Sequence, residues 1–91
     1  MTHIVKRRGA RQYETFSRKK LEKSIVAACL SVHSAEGSAE TSAAAVGAAV
    51  EEWLANRPEV TSEDIRRVAA KALELHNPDA AYYYIQHKHI L

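Results

Sequence analysis

The stretch that decides the fold is residues 16–30, FSRKKLEKSIVAACL, where the apolar residues change from alternating to helical spacing. After Ser17, apolar side chains recur at the spacing of one helix face, at Leu21, Ile25, Ala28, Cys29 and Val32. Ser17 is a favourable N-cap, but residues 18–20 are all cations and lie at the positive end of the helix dipole. This start indicates either a bound anion or a solvated basic face screened by salt.

The segments on either side define the rest of the fold. Residues 3–16 have β-branched side chains at 4 and 5, a glycine at 9, and then Tyr13, Thr15 and Phe16 interspersed with polar residues, which predicts a pair of short strands. Apolar spacing and start signals predict four helices, over residues 17–32, 38–56, 62–75 and 78–89. Residues 59–61 form either a turn or an extra strand. The expected fold is α+β and mostly α, one domain over residues 1–91 with a small β-sheet lid of two or three short strands over a four-helix bundle.

Several apolar side chains are expected in the core. Trp53 recurs at helical spacing with Val46 and Val50, and Cys29 fits a buried thiol. The three tyrosines at 82–84 cannot all face inward, so one or two of them pack and the rest line an interface or a site. The third helix has six residues on its predicted core face: Ile65, Val68, Ala69, Ala72, Leu73 and Leu75.

Composition excludes several classes of protein. The single cysteine rules out a disulfide framework, and the histidines are not spaced as a metal set, so no metal site is predicted. We see neither a membrane-spanning run nor a signal peptide, and we expect a cytoplasmic protein. The chain carries no recognisable catalytic constellation, so we expect no enzyme activity and in particular no ATP hydrolysis.

The charge is concentrated at one end of the chain. Residues 1–20 hold seven Lys or Arg and a single acid, Glu14, although the whole chain has a net charge of only +2. Such a basic end favours nucleic acid, an acidic protein surface or nucleotide phosphate as the partner. Lys6 and Arg7 on the first strand can lie beside the first helical turn. Glu14 either forms a salt bridge or accepts a hydrogen bond from adenine or ribose.

Four segments in order resemble the ATP-cone family: VKRRG (5–9), ETFSRKKLEKSI (14–25), VTSEDIRRVAAKAL (60–73) and NPDAAYYYIQHK (77–88). The resemblance covers nearly the whole chain. It implies a non-catalytic allosteric module that binds ATP or dATP, with Mg²⁺ as companion of the phosphates. Such domains regulate ribonucleotide reductases or, in a zinc-containing repressor, the transcription of reductase genes.

The resemblance also implies roles for single residues. It would place Glu14 and Ser17 at the adenine and Phe16 near the base. It implies that Lys6, Arg7 and Lys20 contact phosphates. Arg66 and Lys88 are weaker carry-overs to the nucleotide site. Arg8 stands where the family has Asp, and the segment after Gly9 is about two residues longer than usual.

The partner implied by the resemblance is an adenine nucleotide. Further candidates are a reductase subunit or regulator in trans, a fused domain, or a second copy in a nucleotide-dependent homo-oligomer. No membrane partner is expected. The alternative function is a small basic nucleic-acid-binding domain, motivated by the same basic end.

Overall fold

The computed structural model describes the backbone of residues 3–5 and 13–87 and the side chains of residues 15–87. Three short strands, β1 (His3–Val5), β2 (Tyr13–Thr15) and β3 (Glu59–Thr61), lie in this part of the chain. The four helices are α1 (Arg18–Ser31), α2 (Glu36–Leu54), α3 (Ser62–Glu74) and α4 (Pro78–Gln86). The protein is therefore mostly helical, as the sequence predicts.

The strands form one sheet in the order β2-β1-β3. β1 runs antiparallel to β2 and parallel to β3, so the N-terminal strand is the central one. Val60 of β3 is buried in the core, and Phe16 packs partly buried against it just after β2. Residues 59–61 thus form a strand rather than a turn.

The helices enclose a single core. α1 packs on α2 and α4, and α3 packs on the same two helices. The largest fully buried side chains come from all four helices: Leu21, Ile25, Cys29, Val46, Val50, Ile65, Leu73 and Tyr84. Alanines fill the space between them, which lets the helix backbones approach closely.

Three helices begin at side-chain caps that the sequence marks. Ser17 Oγ accepts the amide of Lys20 at 3.2 Å, and Asn77 Oδ1 accepts the amide of Ala80 at 3.1 Å. At α3, Thr61 Oγ1 accepts the Asp64 amide while the Asp64 carboxylate accepts the Thr61 amide, both at 3.1 Å. This capping box lowers the pKa of Asp64, mainly through the bond from the Thr61 amide.

Other boundaries differ from the sequence prediction. α2 begins at Glu36 rather than near residue 38, because the Ala35 carbonyl already accepts the Ala39 amide at 2.9 Å. It ends at Leu54 rather than 56. Residues 88–89 of the predicted fourth helix lie outside the described residues.

Two predicted core residues are less buried than expected. Leu75 was placed on the core face of α3, and this is wrong: it is 85% exposed, because it is the C-cap where the chain turns toward α4. Trp53 is half-buried at the core edge, and the guanidinium of Arg57 lies 4.5 Å from the centre of its ring. Of the three tyrosines, Tyr84 is buried, Tyr83 is half-buried and Tyr82 is exposed.

The end of α1 holds a strained residue. The Ser34 amide donates to the Cys29 carbonyl and the His33 amide to the Leu30 carbonyl, which is the bonding pattern of a Schellman motif. The motif requires a left-handed residue between helix and loop, and His33 adopts it with φ 65°. Glycine adopts this conformation without the steric penalty of a Cβ atom.

We therefore expect His33→Gly to raise the free energy of unfolding by about 1 kcal/mol, because it relieves the Cβ clash of a left-handed residue. Urea unfolding monitored by circular dichroism measures the change. His33→Ala is the control, since alanine keeps the Cβ atom and should give no such gain. Equal gains in both variants would contradict the assignment to backbone strain.

Candidate functional site

The start of α1 brings three of the predicted nucleotide-binding residues together. Phe16 is half-buried against the core, Ser17 caps the helix, and Lys20 is exposed in the first turn. No acidic residue lies in this turn. The first amides of an α-helix have no carbonyl partner within the helix, so this end presents donors and positive charge together.

Arg18, the first residue of α1, lies between two carboxylates. Its Nε donates to Glu22 Oε2 and its Nη1 to Glu51 Oε1, both at 2.6 Å. Its Nη2 donates to the Ala44 carbonyl at 3.2 Å. These contacts raise the pKa of Arg18, with Glu22 as the largest cause, and they join the first turn of α1 to the middle of α2.

The remaining predicted residues are located less fully. Glu14 belongs to β2, where its backbone pairs with Ile4 of β1, but its side chain is outside the described part. Lys6 and Arg7 directly follow β1 in the sequence, and they too lie outside the described residues, as does Lys88. Their roles therefore stay predictions.

Arg66 lies on a different helix from the cluster at α1. It is half-buried on α3 and lines a cavity of about 390 Å³ between α3 and the end of α4. The other lining residues have charges of both signs beside two apolar side chains: Glu63, Arg67, Ala70, Lys71, Glu74 and Ile85. Arg67 pairs with Asp64 at 3.1 Å, so part of this positive charge is already balanced.

Tyr84 connects Arg66 with α1. It is 1% exposed, and its hydroxyl makes no hydrogen bond of standard geometry with any described residue. Burial raises its pKa, while the Ser24 hydroxyl and the positive charge of Arg66 act in the opposite direction. Ser24 lies on α1 one turn after Lys20 and donates to the Leu21 carbonyl at 2.7 Å. Groups from α1 and α3 therefore influence the buried hydroxyl of Tyr84 on α4.

The sequence alone did not indicate the roles of three of these residues, Arg18, Ser24 and Tyr84. Arg18 was considered only as one cation among three, although its acidic partner Glu51 lies on the next helix. Ser24 was not singled out, and Tyr84 was one of three equivalent tyrosines. A serine on the apolar face of α1 was the available signal, because a buried hydroxyl needs a partner.

The described residues form neither a metal site nor a membrane-spanning helix. Within residues 15–87, no three His, Cys, Asp or Glu side chains are grouped so as to hold a metal ion. In the same part of the chain, no helix combines the length and the apolar character needed to cross a bilayer.

The helical fold and a helix start rich in donors and cations define the general class, a small domain suited to binding an anionic ligand. The comparison with protein families specifies it further. The family model for the ATP cone domain matches residues 2–90, essentially the whole chain, and the protein belongs to this family. ATP cones are nucleotide-binding regulatory domains without catalytic activity, and they bind ATP or dATP in general. Searches of curated proteins and of solved structures found no match.

The raised pKa of Tyr84 leads to a prediction for alkaline solution. The folded state holds the hydroxyl proton more tightly than the unfolded chain, whose tyrosines titrate near the ordinary pKa of 10.0. This stabilisation is complete below the unfolded pKa and is lost as pH rises through the higher folded pKa. We expect the unfolding free energy to fall less above about pH 10 in Tyr84→Phe than in the wild type.

Urea unfolding at about pH 8 and about pH 10.5 tests this expectation. Tyr82→Phe is the matched control, because Tyr82 is 68% exposed and should behave as the wild type. An identical alkaline loss in Tyr84→Phe and the wild type would show that ionisation of Tyr84 is not coupled to folding.

Proposed function

We propose that this chain is an allosteric sensor of ATP or dATP, linked to ribonucleotide reductase activity or to the transcriptional control of reductase genes. Membership of the ATP-cone family supports nucleotide sensing. The link to reductase comes from what such domains regulate. The sensor itself catalyses no reaction and hydrolyses no ATP, and the protein acts in the cytoplasm.

The observation that carries the proposal is the first turn of α1. It holds Lys19 and Lys20 exposed, without an acidic residue, where an isolated helix prefers carboxylates. A phosphate bound there reverses the sign of this electrostatic effect, because backbone amides and lysine side chains then face the same anion. Arg18 is held by two carboxylates, whereas Lys19 and Lys20 lie exposed and add their charge to the positive end of the helix dipole.

The base is bound, in this proposal, between β2 and the start of α1. Phe16 contacts the adenine, and Glu14 and Ser17 recognise its edge. Ser17 Oγ accepts the Lys20 amide, and a hydroxyl that accepts one bond can still donate its own hydrogen to a ring nitrogen. The phosphates are bound by the basic residues: Lys6, Arg7, Lys20, Arg66 and Lys88.

The arrangement of the domain follows from these roles. The three-stranded sheet acts as a lid over the four helices, which form a bundle, and residues 1–91 make one domain. Val60 and Phe16 connect the sheet side to the helical core, which supports a site between the two parts. Mg²⁺ enters with the nucleotide as companion of its phosphates.

Isothermal titration of the full chain with ATP and then dATP, in magnesium, tests the proposal. We expect saturable binding that weakens about tenfold or more in Lys20→Ala, because a hydrogen bond to a charged group contributes about 1.5–3 kcal/mol. Lys23→Ala is the matched control, since Lys23 is exposed one turn further along α1 and should bind like the wild type.

Two results would contradict this function. Unchanged affinity in Lys20→Ala would remove the start of α1 from the site. Absence of nucleotide binding, together with DNA binding that falls steeply with salt, would favour the nucleic-acid alternative.

The reductase link requires a separate measurement. We expect the purified chain, added to the reductase of the same organism, to change its activity only when ATP or dATP is present. The Lys20→Ala variant should lose this effect together with nucleotide binding. An effect that is equal with and without nucleotide would contradict a sensing role.

A further inference from the structure

The contact between Arg18 and α2 depends on a glycine. A Cβ atom at Gly47 would lie 2.8 Å from Arg18 Nε and 2.9 Å from Glu22 Oε2, closer than side-chain atoms normally approach. Gly47 is buried in the interior of α2, where glycine is a poor helix former. The missing side chain thus makes room for the guanidinium against the helix backbone, where it reaches the Ala44 carbonyl.

The second glycine of α2 has no such neighbour. A Cβ atom at Gly37 would meet nothing within 4 Å. The difference between Gly37 and Gly47 distinguishes the general effect of a glycine on helix stability from the specific space that Arg18 occupies at Gly47. Of the two glycines in α2, Gly47 alone leaves a space that another side chain occupies.

Stability alone does not account for this arrangement. The side chains of Arg18 and Glu51 are 37% and 48% exposed, and exposed ion pairs contribute little to folding. The guanidinium of Arg18, however, is held by three acceptors: two carboxylates and one backbone carbonyl. Such a contact sets the position of α1 relative to α2 more than it strengthens the fold.

Arg18 directly follows the cap Ser17 and lies two residues before Lys20. We propose that Arg18, held against Gly47, is a positioning residue for the nucleotide site: it fixes the first turn of α1 so that Ser17 and Lys20 face the ligand. Arg18 itself does not contact the nucleotide. This inference rests on the proposed nucleotide binding at the start of α1.

The substitution Gly47→Ala tests the inference without changing any charge. The atoms nearest the new methyl group belong to the side chains of Arg18 and Glu22 and not to the backbone, so we expect the variant to fold with Arg18 displaced. We expect the affinity for ATP, measured by titration well below the melting temperature, to fall about tenfold. Gly37→Ala is the matched control and should bind ATP like the wild type.

A second pair of variants separates position from charge. Glu51→Gln removes a negative charge near the proposed phosphates, which by electrostatics alone would strengthen binding. Because it also replaces the charged acceptor of Arg18 Nη1 with a neutral amide oxygen and so weakens this contact, we expect weaker binding instead. Glu52→Gln, an exposed neighbour on α2, controls for the charge and should not weaken binding.

The outcomes are distinguishable. Unchanged ATP affinity in Gly47→Ala would mean that the contact is only structural. Increased affinity would mean that the displaced Arg18 binds phosphate itself, and either result overturns the positioning role. If the wild type binds no nucleotide, the proposed function fails and this inference fails with it; if Lys20→Ala weakens binding while Gly47→Ala does not, only this inference fails.

Discussion

Arg18 lies between one carboxylate of its own helix and one of α2, and this contact determines which cations at the start of α1 remain exposed to a ligand. Three cations follow the cap of α1, at the end of a helix where positive charge is unfavourable. The positive charge of the first cation, Arg18, is balanced by the carboxylates of Glu22 and Glu51. The two lysines lie exposed in the first turn, where their charge and the positive end of the helix dipole favour an anion. Family membership shows the class of domain, and the charge at the start of α1 is the ground for placing the proposed site there.

The sequence alone predicted the structural features that depend on residues close together in the chain. The caps at Ser17, Thr61 and Asn77 were readable because their hydroxyl or amide oxygens accept amides only three residues away. The start of α2 was misplaced because Ala35 has no capping side chain and gives no signal. Leu75 was misplaced because apolar spacing continues past the point where the α3 helix ends.

The site was less predictable than the fold for a physical reason. Its contacts join residues far apart in sequence, such as Arg18 and Glu51, and a single sequence carries no record of which surfaces meet. The same holds for Tyr84, whose environment is formed by α1 and α3 together. The resemblance to the ATP-cone family supplied candidate residues that spacing alone could not, and the positions of Lys6, Arg7 and Lys88 still rest on it.

The order of the strands has a consequence for how the protein forms during synthesis. The central strand, β1, is made first, yet one of its two neighbours, β3, is more than fifty residues further along the chain. Contacts this distant in sequence form slowly, because a long loop must close before they gain any free energy. A nascent chain therefore contains α1 and α2 before its sheet can be completed. The sheet beside the proposed site is therefore completed only after β3 has been synthesised, well after α1 and α2.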